Sequence, residues 1–282
     1  MLSKEAIERR LDTTWAACNI IYKDVTDSTN NDARDLAAEG AIHGTLVVAD
    51  KQEAGRGSRG RSWETPAGTN IAMSLVIRPT APSERISMLT LVMGLSVAEG
   101  IDLAMGEASG AKDSDKATAG TPVGSLIKWP NDVVIDRKKI CGILTELHMN
   151  PDNSIRDVVI GVGINVNMTE FPEEIRDIAG SLLSQTGKEV DRSLVVARVM
   201  ERFEENYSKF QRNFDLSLLK EQYEKRLINK GEPVRVLDPR DGFEGTALGI
   251  TDMGELLIDA GQGDIRTIRA GEVSVRGLYS YV

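Results

Sequence analysis

The chain has 282 residues, a formal net charge of −9, 41% hydrophobic residues and 27% charged residues. This length and composition predict a globular protein with one large domain and a smaller one. The acidic balance argues against a general nucleic-acid binder, because such proteins usually carry a basic face. The two cysteines, Cys18 and Cys141, lie far apart in the sequence, so they predict neither a disulfide framework nor a zinc site.

The N-terminal segment MLSKEAIERRLDTTW is charged and lacks the apolar core of a signal peptide. No uninterrupted apolar run approaches the length that spans a bilayer. We therefore expect a cytoplasmic protein with no membrane and no nucleic acid among its partners.

The first half of the chain predicts helices and strands that alternate. A short helix at 4–12 and a strand at 19–25 precede a helix that Asp27 or Ser28 caps and Gly40 ends. A buried strand at 45–52 then runs directly into the stretch GRGSRGRSW at 55–63. It is followed by a strand at 70–79, a long apolar helix at 84–105 and a small, polar segment at 106–122, which we expect to be a mobile surface insertion.

The second half begins with two predicted strands, LIKWPNDVVI and KICGILTELHM, joined by a turn at 136–138. A strand at 155–167 and amphipathic helices at about 191–211 and 214–228 come next. From Gly231 onward, short strands alternate with turn residues, which is typical of a small all-β unit. We therefore divide the chain into domains at 1–229 and 230–282.

The stretch at 55–63 holds three arginines and three glycines. Glycines let a backbone approach a ligand closely, and arginines present forked donors that suit carboxylate or phosphate. The pattern predicts an anion-binding loop that is mobile until its ligand arrives, although it lacks the P-loop motif. From the residues alone, a solvated basic hairpin tip remains the alternative.

A second cluster, KWPND at 128–132, lies between apolar strand segments. Lys128 can neutralise phosphate charge, and Asp132 can hold Mg²⁺. Lys139 begins a buried strand, where its charge is costly unless it meets an anion; a snorkelling surface lysine is the alternative. Neither histidine has a plausible serine or cysteine partner, so these residues favour charge stabilisation and positioning, as in nucleotidyl transfer.

Five separated motifs together resemble those of the biotin protein ligases. They are DSTN (27–30), QEAGRGSRGRSW (52–63), KWPND with DRKKICGIL (128–144), GVGIN (161–165) and GEVSVRG (271–277). The resemblance implies an α/β fold: a mixed β-sheet with flanking helices, similar to class II synthetases, and a C-terminal SH3-like β-barrel. It also implies that biotin and ATP, with Mg²⁺, give biotinyl-adenylate, which then biotinylates a lysine of a biotin carboxyl carrier protein. Members of the family often form homodimers.

The resemblance also implies site residues. Those expected at biotin are Ser28, Thr29, Asn30, Gln52, Gly55, Arg56, Gly57, Ser58, Lys139, Gly142, Gly161 and Gly163. Those expected at ATP are Arg59, Arg61, Trp63, Lys128, Asn131, Asn165 and Arg276. Lys139, Arg59 and Arg61 are the expected catalytic residues, and Asp132 is the expected Mg²⁺ ligand.

Two departures from the family pattern bear on function. Many members have arginine where this chain has Ser58, so we hypothesise that the adenylate leaks from the loop unless the adjacent Arg59 substitutes for that arginine. DSTN begins at residue 27, which leaves too little preceding chain for the DNA-binding domain of some members, so we expect no repressor activity. The alternatives are a lipoate- or octanoate-type ligase and a biotin-binding module without turnover.

Overall fold

The computed structural model describes residues 1–108, 124–238, 241–270, 274–277 and 281–282, and the side chains of Arg59 and Ser274 fall outside that description. Most of the predicted insertion therefore lies outside the described residues. Its first three residues, 106–108, continue the long apolar helix instead.

The larger unit is built on a seven-stranded sheet with the order β1-β2-β3-β7-β6-β5-β4. Its strands are β1 (Asn19–Thr26), β2 (Thr45–Gln52), β3 (Ile71–Ile77), β4 (Leu126–Lys128), β5 (Asp132–Ile135), β6 (Lys138–Met149) and β7 (Ile155–Ile164). Its helices are α1 (Lys4–Glu8), α2 (Thr29–Ala38), α3 (Met88–Ala108), α4 (Leu182–Thr186), α5 (Arg192–Asn213) and α6 (Lys220–Arg226). Strands β1 and β2 are parallel and the other pairs are antiparallel, so the prediction of a mixed sheet is confirmed.

Both faces of the central strands are covered by helices. Side chains alternate between faces along a strand, and Val48 and Leu75 belong to the main core whereas Val47 and Val76 join a small cluster with Ala33 of α2. This double cover explains why β2, β3 and β7 are almost continuous apolar runs. Helices α3 and α5 pack closely in the main core.

The segment Ser83–Ala108, which contains α3, is by length and composition alone apolar enough to cross a membrane. It is not an uninterrupted apolar run, because Glu99 and Asp102 lie within the helix. In addition, 72% of the most apolar window is buried inside the fold. That burial is typical of the core helix of a globular protein.

The prediction of one strand over LIKWPNDVVI is wrong, because this stretch is a hairpin. Strands β4 and β5 pair antiparallel, with Lys128 opposite Asp132. Pro130 has no backbone N–H to donate to a ladder, and the Trp129–Pro130 peptide is cis. The helix predicted from 214 begins later, at Lys220, because Phe214 ends α5 in the left-handed conformation.

The C-terminal unit is an antiparallel sheet with the order β11-β10-β9-β8-β12. Its strands are β8 (Pro233–Leu237), β9 (Phe243–Ile250), β10 (Leu256–Asp259), β11 (Ile265–Ile268) and β12 (Ser274–Gly277). Strand β12 returns to pair with β8. SH3-like closure stays a prediction, because no described ladder joins β11 to β12.

Candidate functional site

Two cavities meet at the start of β6, and the inner one lies over the centre of the large sheet. Its lining comes from the start of α2, the end of β2, the Gly/Arg loop and the glycine-bearing parts of β6 and β7. The residues of this inner cavity are Ser28, Thr29, Asn30, Gln52, Arg56, Gly57, Ser58, Trp63, Ala72, Asn131, Lys139, Gly142, Ile143, Leu144, Gly161, Val162 and Gly163.

Glycines in the floor of the inner cavity make room for the Trp63 indole. Gly142 of β6 lies opposite Gly163 of β7, and the Trp63 indole lies directly over this pair. A Cβ on Gly142 would be 3.1 Å from the indole, and one on Gly163 would collide with its nitrogen. The buried indole N–H of Trp63 has no hydrogen-bond partner among the described residues, so it offers a donor to a ligand.

A hydrogen-bonded polar cluster forms one end of the inner cavity. Gln52 Oε1 accepts from the backbone N–H of Thr29 at 2.9 Å and from its hydroxyl at 3.1 Å. Ser74 Oγ donates to Asn30 Oδ1 at 2.6 Å, while Asn30 Nδ2 donates to Glu146 Oε2 at 2.7 Å. Ser28 occupies the N-cap position of α2, but its side chain makes no capping hydrogen bond. This end presents fixed amides and hydroxyls suited to a polar, uncharged ring.

The Gly/Arg loop is a folded hairpin in this structure. Its arms are joined by the N–H of Gly57 to the carbonyl of Arg61 at 2.7 Å and the N–H of Trp63 to the carbonyl of Gly55 at 2.8 Å. The residues at its tip, Ser58–Gly60, form a 3₁₀ turn. Arg56 ties the loop to β6 through a 3.0 Å ion pair with Glu146.

The outer cavity is cationic. Its described lining comprises Ser58, Arg61, Ser83, Ile86, Ser87, Thr90, Lys128, Trp129, Pro130, Asn131, Asp132, Lys139, Ile143, Leu144, Thr145, Leu147, Ala270, Val275, Arg276 and Tyr281. Asp132 is the single carboxylate in that lining, facing Lys128, Lys139, Arg61 and Arg276. Such a surface suits a polyanion.

The two lysines of the outer cavity have different surroundings. Lys139 Nζ pairs with Asp132 Oδ1 at 2.6 Å and lies 5.5 Å from the centre of the Trp63 ring. Lys128 is 6% exposed, and its Nζ donates to the carbonyl of Val275 at 3.2 Å. Burial lowers the pKa of Lys128 to about 8, because Asp132 offsets only part of the loss of solvation.

The described residues contain no group of three or more acidic, histidine or cysteine side chains that could hold a metal ion. Mg²⁺ commonly binds through one or two carboxylates together with substrate phosphates and waters. Asp132 therefore fits an ion that arrives with a nucleotide, rather than a resident metal site.

Comparison with known proteins identifies the family and the fold. The sequence profile described as "Biotin/lipoate A/B protein ligase family" matches residues 22–165, which is half of the chain. This protein belongs to that family. A second profile, "Biotin protein ligase C terminal domain", matches residues 231–276.

Relatives of this ligase-family chain match it over most of their length. The bifunctional ligase/repressor BirA of Bacillus spizizenii is 37% identical over 97% of this chain and 79% of that protein. The biotin–[acetyl-CoA-carboxylase] ligase of Mycobacterium tuberculosis is 32% identical over 92% of this chain and 89% of that protein. Among solved structures, biotin protein ligase from Aquifex aeolicus in complex with biotin and ATP has a TM-score of 0.74 and 34% identity, covering 92% of this chain and 99% of that chain.

The structure gathers most of the residues that the sequence motifs predicted for this ligase-family site. Every predicted biotin residue except Gly55 lines the inner cavity. Gly55 lies behind it, where a Cβ would collide with the carbonyl of Trp63. Of the predicted ATP residues, Arg61, Lys128, Asn131 and Arg276 line the outer cavity, with Asp132 beside them, and Trp63 lies in the inner one.

Two predicted ATP residues are not placed in either cavity. Asn165 is buried behind the floor, where its amide donates to the carbonyl of Gly180 at 3.0 Å and accepts from Asn70 at 3.2 Å. The backbone of Arg59 lies in the 3₁₀ turn, while its side chain is outside the described part of the chain. The roles of both residues stay predictions.

Three site residues were missed by the sequence reasoning. Ser74 and Glu146 orient the Asn30 amide, and Tyr281 reaches Asp132 from the C-terminal unit. Glu146 follows the predicted KICGIL motif by two residues, so its position on β6 was the available signal. No local pattern marks Ser74 or Tyr281.

Proposed function

We propose that this protein uses ATP to activate biotin as biotinyl-adenylate and then attaches it to a lysine of a biotin carrier protein. The relatives and solved structures that it resembles are named as biotin ligases. They do not favour the lipoate-type alternative or a biotin-binding module without turnover.

The observation that carries the proposal is the junction of the two cavities. Lys139, Asn131 and Ser58 line both of them. A ligand that places its polar ring at the Asn30 end of the inner cavity can direct a carboxylate toward Lys139. A nucleotide in the cationic outer cavity would then present its α-phosphate at the same ammonium group.

In the first step, a carboxylate oxygen of biotin attacks the α-phosphorus of ATP, and the bond to the bridging oxygen of pyrophosphate breaks. Lys139 stabilises the charge that grows on the phosphate oxygens, and Arg61 and Arg276 face the departing pyrophosphate. Mg²⁺ bound to the phosphates would find its protein oxygen at Asp132 and would offset their charge. The hairpin at 55–63 covers the product and excludes water.

In the second step, the neutral amine of the acceptor lysine attacks the carbonyl carbon of the adenylate. The bond from that carbon to the phosphate oxygen breaks, AMP leaves, and the nitrogen loses a proton. The relatives named as ligases of acetyl-CoA carboxylase support a carboxylase carrier domain as the acceptor. The homodimer predicted from the family resemblance remains part of the proposal.

The first experiment is to follow pyrophosphate release after mixing the protein with biotin and MgATP, with and without a biotin carrier domain. We expect one burst without the carrier and steady turnover with it. Lipoate and octanoate, offered in parallel, should give no release. Steady release without carrier would support the leak through Ser58, and Ser58→Arg should then restore the single burst. No release with biotin under either condition would overturn the proposed function.

A further inference from the structure

The penultimate residue of the chain, Tyr281, reaches into the outer cavity. Its hydroxyl donates a hydrogen bond to Asp132 Oδ2. Its ring lies beneath the ammonium of Lys128, whose Nζ is 4.4 Å from the ring centroid. Burial, followed by the nearby Asp132 carboxylate, raises the pKa of Tyr281 well above its ordinary value, so the phenol stays protonated and acts as a donor.

Asp132 connects this tyrosine to the predicted catalytic lysine. Its carboxylate is buried, at 7% exposure, and its other oxygen, Oδ1, pairs with Lys139 Nζ at 2.6 Å. Oδ1 accepts no hydrogen bond among the described residues, so the hydrogen bond from Tyr281 to Oδ2 is the directional contact that restricts rotation of this carboxylate. The hydroxyl of Tyr281 therefore fixes the direction in which Oδ1 presents itself to the ammonium group of Lys139.

We propose that Tyr281 is a positioning residue for adenylate formation, which acts through Asp132 to hold Lys139 at the junction of the two cavities. This inference rests on the proposed function. It makes the end of the C-terminal unit part of the chemical site of the larger unit, although the two segments are 149 residues apart.

The test compares the parent protein with Tyr281→Phe, which removes the hydroxyl but keeps the ring beneath Lys128. We expect kcat for biotin-dependent pyrophosphate release to fall about tenfold, the size expected for losing a hydrogen bond to a charged group. The Kd for biotin, measured by titration without nucleotide, should be unchanged. Tyr22→Phe removes a tyrosine hydroxyl on β1, outside both cavities, and serves as the matched control with parental kinetics.

A double-mutant cycle separates positioning from a general structural role. If Tyr281 acts through Asp132, adding Tyr281→Phe to Asp132→Asn should cause little further loss of kcat. A full additional tenfold loss would overturn the inference. So would parental kcat in Tyr281→Phe, or a lower KM for MgATP with unchanged kcat, which would show that the hydroxyl merely obstructs the nucleotide.

The two proposals fail in distinguishable ways. A parent protein that releases no pyrophosphate with biotin overturns the proposed function. An active parent whose Tyr281→Phe variant is indistinguishable from it overturns only the positioning role.

Discussion

At the scale of single residues, Lys128 and Lys139 divide the work of one cationic site. Lys139 is paired with the carboxylate of Asp132 at the junction of the cavities. A substrate anion that binds there can take the place of this carboxylate as the partner of the ammonium group. Lys128 is buried against a backbone carbonyl and an aromatic ring. Burial lowers its pKa to about 8, so its charge depends on pH near that value.

Lys139→Ala should lower kcat for adenylate formation by about 100-fold, the usual cost of removing one donor that stabilises a growing oxyanion. Biotin binding should weaken much less, because the charge of Lys139 matters most in the transition state. Single-turnover pyrophosphate release and biotin titration measure the two effects. Lys138→Ala is the control, since Lys138 donates instead to the carbonyl of Asp177 at 2.6 Å. Unchanged turnover in Lys139→Ala would show that Lys139 has no catalytic role.

The kcat/KM for MgATP should fall as the pH rises through about 8, because the lowered pKa of Lys128 lies there. Lys128 is charged below this pH and neutral above it, so the outer cavity loses a positive charge as the pH increases. Asp132 raises this pKa, while Lys139, Arg276 and Arg61 lower it. Lys128→Arg keeps its charge throughout and should give a flat profile between about pH 7 and 9; the same decline in that variant would assign the titration to another group.

At the scale of secondary structure, the register of β6 and β7 creates the floor of the inner cavity. Gly142 and Gly163 become a cross-strand pair only because these strands are aligned as they are. A shift by one residue would place side chains beneath the Trp63 indole. The motif GVGIN indicated a ligand site, but the sequence contains no signal for this register.

Gly163→Ala should impair biotin capture, because the new Cβ would collide with the Trp63 indole. The expected result is a KM for biotin at least about tenfold higher, corresponding to about 1.4 kcal/mol, with a small change in melting temperature. Gly94→Ala in α3 is the opposite case, since its Cβ would meet only ordinary contacts, at 3.7 Å from Ile143 and 3.9 Å from Ile127. Gly94→Ala should gain up to about 1 kcal/mol of stability and keep the parental KM for biotin. Equal KM values for biotin in both variants would contradict the role of Gly163 in the cavity floor.

At the scale of the whole molecule, motifs predicted the parts of the site but not all the contacts that join them. The clusters at 52–63 and 128–144 could be predicted because their signals are local, and the mixed sheet followed from the family resemblance that those clusters support. Glu146 contacts Asn30 across 116 residues and Tyr281 contacts Asp132 across 149, so neither role has a local pattern. The hairpin at Trp129 was missed because its apolar flanks resemble one continuous strand.

Trp129 of the larger unit contacts the C-terminal unit, since its indole N–H donates to the carbonyl of Gly254 at 3.0 Å. We therefore expect this residue to contribute to the stability of both units. Trp129→Phe should cost about 2–4 kcal/mol of unfolding free energy, from a lost buried hydrogen bond and poorer packing. Urea unfolding measures this cost. Trp63→Phe is the matched control, because the indole N–H of Trp63 has no partner to lose among the described residues. This variant should keep its stability and lose activity. A larger loss of stability in Trp63→Phe than in Trp129→Phe would contradict the role given to the Trp129 hydrogen bond.

The ion pair between Arg56 and Glu146 has a consequence for the conditions under which the protein works. The arginine side chain is 42% exposed and the carboxylate 25% exposed, so dissolved ions can screen their attraction. At about 1 M ionic strength the screening length shrinks to about 3 Å, comparable with the 3.0 Å separation of these groups. The hairpin over the inner cavity is thus held partly by an ion pair that ionic strength weakens, so we expect substrate entry to depend on salt concentration even for a ligand with an uncharged ring.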